Sequence, residues 1–159
     1  MRIVTFRIAG ERRVGGVDAN APVRPFDLPM VQSNMGALAI VQSQATGGAL
    51  TSLLPAIALR DVTLEAPVPR PHRNIFCVGK NYFDHTAEFA GSGFDSSAAQ
   101  GAQPTAPIVS FKPPECVIAN GESICISPAV SSKIDYEAEV GVIVGKGGQS
   151  ASRLAKAMR

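Results

Sequence analysis

The chain lacks several features that would assign a protein of its size to a broad class. Its 15 Lys and Arg nearly balance its 13 Asp and Glu, so no charge excess favours nucleic acid or an anionic membrane surface as a partner. No run approaches the roughly 20 apolar residues of a membrane span, and the first residues lack the pattern of a secretory signal. We therefore expect a cytoplasmic protein that acts on a small molecule.

Cysteine pairs and phosphate-binding glycine loops are absent as well. The three cysteines, Cys77, Cys116 and Cys125, show no CxxC spacing and stand in apolar stretches. We expect buried thiols at these positions rather than disulfides or a zinc site. The glycine-rich segment 145–148 matches neither GxxxxGK[ST] nor GxGxxG. It predicts a strand-to-helix turn, followed by a terminal helix that ends at Arg159.

The sequence before the Pro-rich stretch predicts a small domain of its own. Residues 2–7 and 13–17 alternate polar and apolar side chains on either side of a glycine, which is typical of a β-hairpin. Residues 31–59 predict one or two short helices. The prolines that follow disfavour both helix and strand pairing. The predicted division is a small N-terminal domain over 1–66, a linker over 67–73 and a second domain over 74–159.

The second domain is predicted to be β-rich within a mixed α+β chain. Asn81 could cap a helix over residues 82–90, and the small polar segment 92–105 predicts a surface loop. Apolar runs bounded by turn residues predict further strands. These strands lie at 74–78, 108–111, 117–118 and 123–126.

The most informative segment is residues 134–145, an apolar run with acidic side chains at every second position. In a strand, Asp135, Glu137 and Glu139 would share one face. The Cα atoms of the two glutamates would lie about 6–7 Å apart, so both carboxylates could bind one hard cation such as Mg²⁺ or Mn²⁺. A solvated edge strand is the alternative interpretation. The apolar run 140–144 instead favours a strand that is buried on both faces.

Two further groups could carry chemistry. His85 and Glu88 stand at i and i+3 of the predicted helix, where a carboxylate can orient an imidazole that acts as a base. An ordinary pair on a helix surface is the alternative. Lys80 and Lys112 stand in short motifs next to turns and could bind a substrate carboxylate or an enolate oxygen, although solvated lysines would look the same.

Three motifs taken together resemble the fumarylacetoacetate hydrolase superfamily. They are C-V-G-K-N-Y-F-D-H-T-A-E at 77–88, F-K-P-P at 111–114 and D-Y-E-A-E-V-G-V-I-V-G at 135–145. The resemblance implies a β-roll catalytic domain, incomplete here, after a small N-terminal domain. It also implies a homodimer and a Mg²⁺ or Mn²⁺ ion held by three carboxylates. Glu137 and Glu139 match the first two ligands, and the third is expected beyond Arg159.

The resemblance also implies a reaction. A 1,3-dicarbonyl substrate such as an acylpyruvate would be hydrolysed at a carbon–carbon bond, with water activated by His85 and Glu88. Lys80, Tyr82 and Lys112 would bind this keto acid. Related members suggest an isomerase or decarboxylase of 2-keto dicarboxylates as an alternative, and a non-catalytic truncated chain is a third possibility. With two of three ligands present, we expect weak metal binding and little turnover.

Overall fold

The computed structural model describes residues 1–18, 22–49, 53–82, 84, 86–87 and 106–145. Its chain divides into two compact units. The sheet unit comprises Met1–Pro69 and Val117–Arg159, and the ribbon unit comprises Arg70–Cys116. The domain boundaries expected from the Pro-rich stretch stay a prediction. The predicted loop at 92–105 and the predicted terminal helix fall outside the described residues.

A four-stranded antiparallel sheet organises the sheet unit. Its strands lie in the order β3-β2-β1-β4. They span β1 (Arg2–Ile8), β2 (Glu11–Val17), β3 (Arg24–Pro25) and β4 (Thr63–Leu64). Strands β1 and β2 form a hairpin in which Ile8 lies opposite Glu11. Ala9 and Gly10 connect them with φ of 48° and 82°, as a type I′ turn requires. The predicted hairpin is therefore confirmed.

Two short helices pack against this sheet and close its core. They are α1 (Met30–Ser33) and α2 (Leu38–Ala45), which confirms the helices expected within 31–59, and a 3₁₀ turn follows at Leu59–Asp61. Alternation along β2 turns Val14 inward, where it packs with Phe26 and Ile40 in one buried cluster. The backbone N–H of Phe26 donates to the Val14 carbonyl at 2.8 Å, so the same contact fixes the third strand.

Between the two helices, the backbone at Gly36 lies very close to the Pro67 carbonyl. Gly36 has φ of 66°, and a Cβ atom there would lie 2.6 Å from the Pro67 carbonyl oxygen. The hydroxyl of Thr5 donates to the same carbonyl at 2.7 Å and accepts from the Ala37 N–H at 3.0 Å. A glycine is therefore required at this position, and the buried hydroxyl ties β1 to the start of the Pro-rich stretch.

An ion cluster joins the two central strands of the sheet, β1 and β2, to the residue that follows β4. The carboxylate of Glu65 accepts from Arg7 Nε at 2.8 Å and from both Nε and Nη2 of Arg12, the latter at 2.9 Å. Arg12 also donates to the Asn34 carbonyl at 3.1 Å. The Arg12 hydrogen bond holds the pKa of Glu65 below its ordinary value, although burial acts in the opposite direction. The cluster links β1, β2, β4 and the end of α1.

In the ribbon unit, the described residues form two antiparallel strands. Strand β5 (Ile75–Gly79) pairs with β6 (Ile108–Lys112), and a 3₁₀ turn follows at Pro114–Cys116. Both strands were expected from the apolar runs at 74–78 and 108–111, and both are confirmed. Asp84, Thr86 and Ala87 have helical backbone, within the range where a helix was predicted. With six strands and two short α-helices described, the chain is mixed α+β and β-rich.

Several strand predictions are wrong. Residues 117–118, 123–126 and 134–145 form no strand in the described structure, and none of residues 117–145 is buried. A strand needs a neighbour that takes up its backbone hydrogen bonds in a ladder, and no described segment forms a ladder with these residues. The expectation of a doubly buried strand is overturned most clearly at Val142, which is 83% exposed.

The cysteine prediction is also wrong in part. Cys116 and Cys125 are exposed and Cys77 is half-buried, and all three are free thiols. Cys125 shares its exposure with the segment around it, so its apolar neighbours provide no core for it. No helix in the described part of the chain has the length and hydrophobicity that a bilayer span requires.

Candidate functional site

The ribbon unit places the two candidate lysines at opposite ends of its strands. Lys80 directly follows Gly79, which pairs with Ile108, whereas Lys112 pairs with Ile75. The two backbone positions are therefore about five residues apart along the ribbon, or roughly 16 Å at the rise of a β-strand. Only Lys80 stands next to the segment that carries the helical residues.

The turn after β5 has a defined local geometry. Lys80 adopts φ of 53°, in the left-handed region that few non-glycine residues occupy. The backbone N–H of Thr86 donates to the Tyr82 carbonyl at 3.0 Å, which is a helical i to i−4 bond. The Thr86 hydroxyl lies 3.0 Å from the same carbonyl and 3.3 Å from that of Lys80. Lys80 and Tyr82, two predicted substrate-binding residues, thus flank one strand-to-helix turn.

Glu137 and Glu139 lie in the segment 134–145 of the sheet unit, and both are exposed. The neighbouring Asp135 accepts a hydrogen bond from the Tyr136 N–H at 2.8 Å, which turns its carboxylate back onto the chain. The segment belongs to no sheet among the described residues, so it lacks the fixed two-residue alternation of a strand in a ladder. The shared face predicted for the two glutamates is therefore not imposed by a sheet.

The carboxylates match a hard divalent cation in chemistry but not in number. Mg²⁺ takes about six oxygen ligands, and carboxylates are suitable donors. Among the residues described, no three His, Cys, Asp or Glu side chains come together in a group that could hold a metal ion. The metal-ligand role of Glu137 and Glu139 therefore stays a prediction.

The predicted base and its orienting carboxylate, His85 and Glu88, lie outside the described residues. Their roles, and those of Lys80, Tyr82, Lys112, Glu137 and Glu139, stay predictions. Sequence reasoning missed Thr86, whose hydroxyl contacts the turn itself. A threonine four residues after Tyr82 in a predicted helix was a usable signal, because Thr hydroxyls bond to the carbonyl at i−4.

Comparison with known proteins adds independent evidence. The model of the family described as fumarylacetoacetate (FAA) hydrolase C-terminal matches residues 74–159. Oxaloacetate tautomerase YisK of Bacillus subtilis is 40% identical over 96 residues, which cover 60% of this chain and 29% of that protein. Mitochondrial oxaloacetate tautomerase FAHD2A of Bos taurus is 30% identical over 138 residues, which cover 85% of this chain and 38% of that protein. This chain therefore matches only about a third of the length of these relatives.

A solved fumarylacetoacetate hydrolase, EaFAH from psychrophilic Exiguobacterium antarcticum, is 19% identical at a TM-score of 0.40. The alignment covers 74% of this chain and 37% of that one, and the assignment does not depend on it. Members of the matched family generally use a divalent metal ion. Because the family model covers more than half of the sequence, and covers all three motifs, this chain belongs to the fumarylacetoacetate hydrolase family.

Proposed function

We propose that this chain carries part of a catalytic region that interconverts the keto and enol tautomers of a 2-keto dicarboxylate, with oxaloacetate as the model substrate. The observation that carries the proposal is the 40% identity over 96 residues with a protein named oxaloacetate tautomerase. Several other relatives carry the same name. They favour the isomerase alternative over carbon–carbon hydrolysis, which was the first interpretation of the motifs.

The proposed reaction requires fewer catalytic groups than hydrolysis does. A proton leaves C3 of the substrate for a base, and a proton is delivered to the oxygen at C2, so no atom is gained or lost and no bond between heavy atoms breaks. The base needs a pKa near neutrality, and the oxygen needs nearby positive charge or hydrogen-bond donors. His85 fits the first role by residue type, with Glu88 as its orienter. No water has to be activated.

Lys80 is the best described candidate for substrate binding. Its ammonium group is a point charge suited to a carboxylate, and its turn is held by the Thr86 hydroxyl, whose single proton is shared between the Tyr82 and Lys80 carbonyls. Tyr82 follows two residues later and is 42% exposed, so it is the second described candidate at this turn. Lys112 lies at the other end of the ribbon, so it is the weaker candidate for the same substrate.

The metal and the partners remain part of the proposal. Glu137 and Glu139 would bind Mg²⁺ or Mn²⁺ weakly, because two carboxylates leave most ligand positions to water. The substrate is a small keto acid, and association into a homodimer is proposed from the family resemblance alone.

The test is a comparison of two substrates. Enol and keto oxaloacetate differ in ultraviolet absorbance, so tautomerisation can be followed directly, while release of pyruvate reports decarboxylation of oxaloacetate or hydrolysis of an acylpyruvate. We expect tautomerisation faster than the buffer rate, without pyruvate release. Pyruvate from an acylpyruvate would restore hydrolysis as the function. A rate equal to that of buffer at high protein concentration would refute catalysis by this chain.

Matched variants test substrate binding by Lys80 and metal binding by Glu137 separately. Lys80→Met removes the ammonium group and is expected to raise KM at least tenfold, a loss of about 1.4 kcal/mol in binding. Lys112→Met is the control at the other end of the ribbon and should change KM less than twofold. Equal effects of the two substitutions would contradict the preference for Lys80. Glu115→Gln removes a carboxylate outside the E-x-E motif and controls for Glu137→Gln in metal titrations.

A further inference from the structure

The turn after β5 stores backbone strain at a candidate binding residue. Lys80 has φ of 53°, and the left-handed region costs a residue with a Cβ atom about 1–2 kcal/mol. Such a conformation persists only where the surrounding structure holds it in place. A residue that stabilises this turn therefore also controls where the lysine side chain begins.

Thr86 is placed to do this. The residue is 4% exposed, and it is the one buried residue among the described residues of Arg70–Cys116. Burial of a hydroxyl is unfavourable unless it forms hydrogen bonds. Its Oγ1 lies 3.0 Å from the Tyr82 carbonyl and 3.3 Å from the Lys80 carbonyl, so two alternate carbonyls of the turn converge on one donor.

The longer of these contacts is the informative one. A bond from a helical threonine to the carbonyl at i−4 is common and explains the contact with Tyr82. The contact with Lys80 spans six residues and reaches out of the helical segment to the left-handed residue itself. The same hydroxyl thus connects the first helical residues with the end of β5.

We infer that Thr86 is a positioning residue, which holds Lys80 in its left-handed conformation and thereby sets where its ammonium group meets a substrate carboxylate. The inference rests on the proposed function for its ligand and on the turn geometry for its mechanism. If the hydroxyl is removed, Lys80 can relax to a negative φ, and this rotation redirects the side chain relative to β5. The ammonium group then has no fixed position, and part of the binding energy is lost to ordering it.

The first experiment measures the turn directly, without any ligand. Thr86→Val keeps the branched shape but removes the hydroxyl, whereas Thr86→Ser keeps the hydroxyl. In nuclear magnetic resonance spectra of labelled protein, a left-handed residue shows an intense cross-peak between its own amide and α protons. We expect this signal at Lys80 in the parent and in Thr86→Ser, and its loss in Thr86→Val. A persistent signal in Thr86→Val would overturn the inference.

The second experiment tests the consequence for binding, with oxalate as the probe. We expect Thr86→Val to raise the Kd for oxalate about tenfold. In Thr86→Ser, the Kd should stay within twofold of the parent value. Because Thr86 is inferred to act through Lys80, the double variant with Lys80→Met should bind no more weakly than Lys80→Met alone. Additive losses would indicate a general structural role and would contradict the inference.

The two experiments distinguish the possible failures. If the parent chain does not bind oxalate, the proposed function and the ligand role of Lys80 are refuted, while the Lys80 signal still decides whether Thr86 sets the turn. If the parent binds and Thr86→Val binds equally well, the proposed function survives and the positioning role is refuted. The amide signals of the β1–β2 hairpin, which lies in the other unit, serve as the control for folding.

Discussion

Replacing Glu65 by Gln tests how much the ion cluster of Glu65, Arg7 and Arg12 contributes to the stability of the sheet. The carboxylate accepts three hydrogen bonds, from Arg7 Nε and from Nε and Nη2 of Arg12. Glutamine keeps the shape but replaces one acceptor oxygen by an NH₂ group, which faces guanidinium N–H donors. At least one guanidinium bond is then lost, and the charge attraction is lost with it.

The expected cost follows from burial. The side chains of Glu65 and Arg12 are only 15% and 16% exposed, whereas Arg7 is 46% exposed. A hydrogen bond to a charged group contributes about 1.5–3 kcal/mol, and removal of one partner from a fully buried pair costs about 3–5 kcal/mol. For this partly exposed cluster we expect a loss of about 2 kcal/mol in the free energy of unfolding. In a chain of this size that corresponds to a midpoint roughly 4–8 °C lower.

The pH dependence gives a second, independent readout. The pKa of Glu65 is lowered in the folded state, first by the Arg12 hydrogen bond, so the unfolded state binds more protons at acidic pH. The contribution of Glu65 is therefore fully present above its ordinary pKa of 4.5 and is lost as the pH falls through the lower folded value. The raised pKa of Arg12 adds no dependence there, because its guanidinium stays charged.

The assay is urea unfolding followed by circular dichroism, since the chain has no tryptophan. Glu11→Gln is the matched control on the same hairpin, because Glu11 is 47% exposed and pairs only with the side chain of Arg13 among the ion pairs described. A surface pair of this kind contributes at most about 1 kcal/mol. If Glu65→Gln costs no more than Glu11→Gln, or if its cost is unchanged down to pH 3, the reasoning is wrong.

Three further predictions concern the sheet unit. Ser33→Ala should raise the free energy of unfolding by about 0.5–1 kcal/mol in the same urea assay, because the buried Ser33 hydroxyl has no hydrogen-bond partner among the described residues and Ala is the better helix former. Gly36→Ala should lower the free energy of unfolding by about 2–4 kcal/mol, since its Cβ would lie 2.6 Å from a backbone oxygen. Gly10→Ala, with open space around the new Cβ, should lower it by only about 1 kcal/mol. Equal losses would refute the close approach at Gly36. Millimolar Mn²⁺ should stabilise the fold by about 0.4 kcal/mol in the free energy of unfolding when its concentration equals Kd, and so raise the melting midpoint slightly; the double variant Glu137→Gln, Glu139→Gln should abolish the shift.

Local patterns were sufficient to predict the β1–β2 hairpin and the positions of β5 and β6, although β5 and β6 pair across a long intervening segment. The hairpin follows from alternation around Gly10, and β5 and β6 follow from short apolar runs that end at turn residues. In each case the segment contains most of the information, because its hydrogen bonds go to a strand with a matching pattern. The ion cluster could not be predicted. Glu65 is 53 positions from Arg12 and 58 positions from Arg7 along the sequence, and their proximity depends on the path of the chain between them.

The wrong predictions share a different cause. Alternation at 134–145 states which side chains would share a face, but it does not state which strand would pair with the segment. The E-x-E spacing was therefore a correct indication of the family and an incorrect indication of the local structure. Thr86 was missed for a different reason. Its contact with Lys80 depends on the left-handed conformation of Lys80, and the sequence does not indicate that conformation because lysine has no preference for it.

The state of residues 134–145 also sets the metal affinity to be expected. A strand in a ladder would hold Glu137 and Glu139 on one face before any ion binds, whereas this segment pairs with no strand among the described residues. Ordering the backbone costs about 1–2 kcal/mol per residue, so fixing even the two glutamates and Ala138 between them costs about 3–6 kcal/mol. At 1.4 kcal/mol per factor of ten, this weakens binding by roughly two to four orders of magnitude. Strand pairing and metal binding are thus coupled, and any partner strand that pairs with this segment should raise Mn²⁺ affinity by a comparable factor.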